Sequence, residues 1–144
     1  MSTIIRIAIA DDHQLVRSGM AMILLENPEF IAVQQAENGR ELLDGIEQSK
    51  PDVVLLDMDI PVLGGADSLA EINKSHTHIR VLMLTMHNSE AFILQITNLG
   101  ANGYLIKNTD PKEVVKAIYK VVESEFYFVK RSLKLCSTEC QIEI

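Results

Sequence analysis

Short apolar runs alternate with amphipathic segments along most of the chain, and this alternation restricts the fold more than any other feature. "IIRIAIA" (4–10), "FIAVQQA" (30–36), "DVVLLD" (52–57), "RVLMLT" (80–85) and "GYLIK" (103–107) have the length and content of strands. Segments 13–26, 39–49, 65–75, 89–99 and 111–123 are predicted helices. Strands that alternate with helices imply βα units, and so a parallel sheet covered on both faces. The central runs are almost wholly apolar, as strands buried on both faces must be. These units fill residues 4–123 and leave no room for a second domain within that span.

The punctuation agrees. Asn27-Pro28 stops the first helix, and Asn38-Gly39 opens the second, which Ser49-Lys50-Pro51 ends. Gly64-Gly65 precedes the third, and Asn88 and Ser89 are N-caps for the fourth, with Gly100 as its stop. Asp110-Pro111 gives the fifth an N-cap and a first-turn proline. That helix carries two apolar stripes. Val114, Ile118 and Val121 form one; Val115, Tyr119 and Val122 form the other. The second stripe is either generous packing or a contact surface for another subunit or a following domain.

A length of 144 residues with 47% hydrophobic residues and 23% charged ones suits a globular chain. The net charge of −7 argues against binding nucleic acid through bulk electrostatics. Residues 4–10 are short and interrupted by Arg6, unlike a secretory leader, and no run approaches the roughly 20 residues of a membrane span. A cytoplasmic protein with no membrane partner is the expectation. Cys136 and Cys140 are spaced as neither a redox pair nor half of a zinc site, and read as reduced thiols on one helical face.

In an open parallel sheet, ligands bind beyond the carboxyl ends of the strands, where the strand order reverses. The first strand ends at Asp11 and Asp12, the third at Asp57, the fourth at Thr85 and the fifth at Lys107. If those strands are neighbours, the side chains share one pocket. Clustered carboxylates need compensation, and a hard cation such as Mg²⁺ (or Mn²⁺) suits oxygen donors. Metal, ammonium and hydroxyl together are what a phosphoryl group requires. Asp57, ending the most apolar strand, is the candidate nucleophile for an aspartyl phosphate. Asp11 and Asp12 are candidate metal ligands. Asp59 lies just past the strand, and its backbone carbonyl is a better candidate ligand than its side chain.

These motifs resemble a known family. The acid pair in "DDHQLVRSGM", "LLDMDIP" followed by "GG", "LTMH" and "GYLIK" are similar to the response-regulator receiver domain of two-component signalling, NarL/LuxR-type subfamily. The similarity covers roughly residues 3–123. It implies an α/β, flavodoxin-like (βα)5 three-layer sandwich with strand order 2-1-3-4-5. By position, the resemblance makes Asp57 the phosphoacceptor for a sensor histidine kinase. Asp11, Asp12, Asp57 and the Asp59 carbonyl become Mg²⁺ ligands. Thr85 and Lys107 become switch residues at the phosphoryl oxygens, and Tyr104 the aromatic residue that moves inward with the threonine. A phosphorylation-dependent homodimer is a further expectation.

Two positions depart from the family pattern. Asn108 follows Lys107 where most relatives have proline, and a cis bond there would cost several kcal/mol. Met86 follows Thr85 where a small residue is usual; its length predicts restricted access of water to Asp57 and slow loss of phosphate. His13 and His87 adjoin the pocket and can tune access or charge. His76 and His78 form a His-x-His pair without an evident third ligand.

Residues 1–123 are thus expected to be the receiver. Residues 124–144 read as a linker and the start of a truncated helix-turn-helix DNA-binding domain, with "STECQIEI" as the opening of its first helix; a freestanding receiver with an ordinary tail is the alternative. DNA would be a partner only through that absent domain. Two other readings compete. "DMD" after an apolar strand also resembles the nucleophile motif of haloacid-dehalogenase-type phosphatases, although the acid pair here lies upstream. A degenerate receiver acting only as a binding module is the other.

Overall fold

The computed structural model describes residues 4–86, 90–107, 109–124 and 126. Along the chain run β1 (Ile5–Ala10), α1 (Gln14–Leu25), β2 (Phe30–Ala36), α2 (Gly39–Ser49), β3 (Val53–Asp57), α3 (Gly65–Ser75), β4 (Arg80–Thr85), α4 (Glu90–Asn98), β5 (Gly103–Ile106) and α5 (Pro111–Ser124). All strands pair in parallel, in the order β2-β1-β3-β4-β5. The expected flavodoxin-like sandwich is therefore present, and every predicted element is found with its ends within one residue. Asn88, Ser89, His87 and Asn108, with the Lys107-Asn108 bond, lie outside the described residues. So do Cys136, Cys140 and the whole "STECQIEI" segment.

Strand alternation sorts the core into two layers. Val54 and Leu56 of β3, with Val81 and Met83 of β4, pack on Leu42, Ile46, Leu69, Ile72, Ile93 and Ile96 of α2, α3 and α4. Val53 and Leu55, with Leu82 and Leu84, pack on Met20 and Leu24 of α1 and on Val114, Ile118 and Val121 of α5. Every residue of β3 is buried. The sheet is irregular only beside β2. Ile7 pairs with Ala32 but Ala8 pairs with Gln34, so Val33 is an extra residue and the ladder shifts there.

The caps form where the sequence places them. The Asn38 side chain accepts from the Glu41 N–H at 2.8 Å and caps α2. Asn27 accepts from the Glu29 N–H at 2.9 Å and turns the chain into β2. Gly100 has φ 97° and closes α4 with its N–H on the Thr97 carbonyl.

The second stripe of α5 is mostly packing. Val115 and Tyr119 lie against the α1/α5 core layer. The Tyr119 ring is 5.1 Å from that of Phe30, and its hydroxyl hydrogen-bonds Glu29 and Asn27 at the start of β2. The Glu29 contact, then burial, push the Tyr119 hydroxyl pKa above its ordinary 10.0. Val122 is the exposed member of the stripe.

One turn beside the pocket is strained. The Leu63 N–H donates to the Pro61 carbonyl at 2.8 Å, which closes a γ-turn around Val62 at φ 69°. A β-branched residue is disfavoured at positive φ, and the Val62 side chain is 79% exposed, so little burial compensates. Val62→Gly is expected to raise stability by about 1 kcal/mol, after the greater unfolded-state freedom of glycine is subtracted. Urea unfolding of the two proteins checks this through the midpoint.

Candidate functional site

Ladder-like bonds at the carboxyl edge of the sheet fix the backbone of each candidate residue. The Asp11 N–H donates to the Ala36 carbonyl and carries the β1–β2 ladder past the end of β1. The Met58 N–H bonds the Leu84 carbonyl, and the Lys107 N–H bonds the Thr85 carbonyl. Because β1, β3, β4 and β5 are adjacent, Asp11, Asp57, Thr85 and Lys107 converge at this edge. Asp11, Asp57 and Thr85 are fully buried.

Lys107 is the hub. Its Nζ donates to Asp57 Oδ2 at 2.9 Å and pairs with Asp11 Oδ2 at 3.2 Å. The other oxygen of Asp57, Oδ1, accepts the Asp59 N–H at 3.1 Å. Both oxygens of Asp57 are thus held. Asp11 Oδ1 accepts the His13 N–H at 2.8 Å. Asp11 Oδ2, although close to the ammonium, makes no hydrogen bond: the contact is an ion pair off the hydrogen-bonding line.

One ammonium therefore serves two buried carboxylates. Burial pushes the Asp57 pKa above its ordinary 3.8, with the Asp11 charge adding to the rise; the bonds from Lys107 and the Asp59 N–H offset only part of it. For Lys107, burial acts downward, but its contacts with Asp57 and Asp11 outweigh it and raise the pKa above 10.5.

Asp11, Asp12, His13 and Asp57 offer ligand atoms that all lie within 4.8 Å of one another. Oxygen donors of this kind, one of them a buried oxygen without a hydrogen bond, fit a hard divalent cation. The Asp59 side chain is exposed and is not in this set. Met86, with His13, Val16 and Lys107, lines an open hollow of about 350 Å³ beside the acids, and is 62% exposed. Tyr104 is buried among the α2/α3/α4 layer at 2% exposure. By alternation, Thr85 falls on the same face as Val81 and Met83 and so toward that layer.

Two features of the site go beyond what the sequence predicts. The His13 side chain is 63% exposed but directs Nδ1 at the acids, 3.1 Å from Asp11 Oδ1 and 3.2 Å from Asp12 Oδ1. Arg17, one helical turn on, donates to the Asp11 carbonyl at 2.7 Å. The only signal for the second is the i, i+4 spacing of His13 and Arg17 at the start of an amphipathic helix.

A doubly wound parallel sheet with this nest of acids around one lysine has the layout of a receiver-type signalling module. The description of the response regulator receiver domain matches residues 7–119, and the chain belongs to that family. It is 33% identical to the transcriptional regulatory protein DegU of Brevibacillus brevis over 85% of its length, and 33% identical to the response regulator GacA of Pseudomonas viridiflava over 96%. It spans 52% and 66% of those proteins. The solved receiver domain of the putative response regulator NarL from Mycobacterium tuberculosis superimposes with a TM-score of 0.80 at 31% identity, covering 84% of this chain and 98% of that one. The NarL/LuxR resemblance holds. Among the described residues, no helix is long and apolar enough to cross a membrane.

Proposed function

We propose that this chain is the phosphoacceptor module of a two-component response regulator, with Asp57 taking a phosphoryl group from a phosphohistidine of a sensor histidine kinase. The observation that carries this reading is the Lys107 ammonium 2.9 Å from Asp57 and 3.2 Å from Asp11 at the carboxyl edge of the sheet. In the transfer, a carboxylate oxygen of Asp57 attacks phosphorus. The O–P bond forms as the P–N bond to the donor imidazole breaks. The electron pair returns to that imidazole, which leaves neutral because its other nitrogen carries a proton.

The residues around Asp57 divide the work. Lys107 opposes the effect of burial on the Asp57 carboxylate and then faces the phosphoryl oxygens. The Asp59 N–H orients the carboxylate. Asp11, Asp12, Asp57 and the Asp59 carbonyl would hold Mg²⁺ (or Mn²⁺), which when bound neutralises charge on the phosphoryl oxygens. Met86 stands at the mouth and limits the approach of water. In the proposed switch, Thr85 moves toward the phosphoryl group and holds Tyr104 in its buried position.

In the whole protein, residues 1–123 are the receiver; residues 124–144 lead toward a DNA-binding domain through which transcription is controlled. Phosphorylation would change the docking of that domain or favour a homodimer. A cytoplasmic location follows from this role. The family match leaves the phosphatase alternative without support.

Incubation with a small phosphodonor and Mg²⁺ is expected to add one phosphoryl group by intact mass. The adduct should be absent without the metal and absent in Asp57→Asn. An unmodified parent protein would leave only a binding module.

A further inference from the structure

The acid nest contains a nitrogen donor, and its position bears on which cation the nest prefers. His13 precedes α1 and makes no side-chain capping bond, so its ring is not committed to the helix. Nδ1 instead faces three groups: Asp11 Oδ1 at 3.1 Å, Asp12 Oδ1 at 3.2 Å and Lys107 Nζ at 3.3 Å. Toward the carboxylates Nδ1 can only donate and toward the ammonium it can only accept, so its role follows the tautomer. With the ring proton on Nε2, its lone pair is free for a cation held between those oxygens. Metal–ligand distances of about 2.1 Å in an octahedron put adjacent ligand atoms about 3.0 Å apart. The spacings from Nδ1 to the two carboxylates are close to that edge.

We propose that His13 is a ligand of the divalent-cation site, through Nδ1, and that it shifts the preference of the site from Mg²⁺ toward borderline first-row cations such as Mn²⁺ and Co²⁺. Mg²⁺ takes oxygen and holds its waters tightly; imidazole favours the transition metals, increasingly so from Mn²⁺ to Co²⁺. An otherwise all-oxygen site with one imidazole therefore discriminates where an all-oxygen site hardly does. The inference rests on the reading of the acid nest as a cation site. It adds that the identity of the bound ion depends on the residue after the acid pair.

The test uses the whole chain with His76, His78 and His87 replaced by glutamine, so that His13 is the one remaining histidine of four. Affinities for Mg²⁺ and Co²⁺ are measured by calorimetry at one mildly alkaline pH. His13→Asn should lower the ratio of Co²⁺ to Mg²⁺ affinity by at least tenfold, and His13→Ala should repeat the loss. Asparagine is a preferred N-cap, so α1 keeps its start. Pulsed EPR of Mn²⁺ that excess Mg²⁺ can displace should show coupling to imidazole nitrogen, and none in His13→Asn. An unchanged affinity ratio, or no nitrogen coupling with His13 present, overturns the proposal while Mg²⁺ binding stands. Failure of the parent to bind any divalent cation overturns the cation site itself and this inference with it.

Discussion

Lys107→Ala is expected to cost about 3 kcal/mol of stability at neutral pH, the low end of what breaking a buried ion pair costs. The side chain is 7% exposed, and its ammonium is shared by Asp57 and Asp11, both fully buried. Without it, two carboxylates face each other with no compensating charge. The loss should appear as a drop of roughly 10 °C in Tm for a chain of this size. Adding Asp57→Asn should restore most of it, because a single carboxylate then remains; the strong non-additivity is the mark of a shared partner. Two independent losses that simply add would contradict the hub.

The pH dependence has a definite sign. Folded Asp57 binds its proton more tightly than unfolded Asp57, so stability falls as pH rises from 3.8 through the raised folded value. The raised Lys107 contributes in full below 10.5, and its contribution is lost as pH climbs through its folded value. The parent should therefore weaken in strong alkali in a way that Lys107→Ala does not. Denaturant midpoints across pH separate the two.

Gly65→Ala is expected to destabilise by about 3 kcal/mol and to slow phosphoryl uptake by about tenfold, the upper range of overpacking costs. A Cβ on Gly65 would lie 2.6 Å from the Asp57 carbonyl oxygen, 2.6 Å from Met58 Cα and 2.8 Å from the Met58 carbonyl oxygen. All three are backbone atoms, so no side chain can swing aside. The start of α3 rests on the peptide that carries Asp57, and the Gly65 N–H bonds the Met58 carbonyl at 3.2 Å. Pushing that peptide away tilts the nucleophile relative to Lys107. Gly64→Ala is the control, because nothing lies within 4 Å of its Cβ. Intact-mass time courses and urea unfolding of both variants decide it.

The fold was legible because its central strands are buried on both faces. Val53 to Leu56 must all be apolar in such a strand, and that pattern survives without any knowledge of neighbours. The pocket was legible for a related reason: once the strand order is known, residues at carboxyl ends must converge. Tertiary contacts decided the rest. The direction of His13 Nδ1 depends on carboxylates and on Lys107, which is 94 residues away in sequence. Tyr119 reads as one more apolar residue of a stripe until Glu29 and Asn27 are beside its hydroxyl. Val62 gives no warning of positive φ, since β-branched residues avoid it; the turn is imposed by the chain on either side.

The shifted ladder at Val33 has a consequence for how this chain behaves when crowded. A parallel sheet has two open borders, here β2 and β5. Flat, long borders recruit strands from other molecules and seed aggregation. The extra residue bends β2 out of the flat geometry that a foreign strand would need. β5 has only 4 residues, too few to template a stable addition. Among the described residues, both margins are thereby blunted without a charged residue in either strand, which disfavours growth edge to edge.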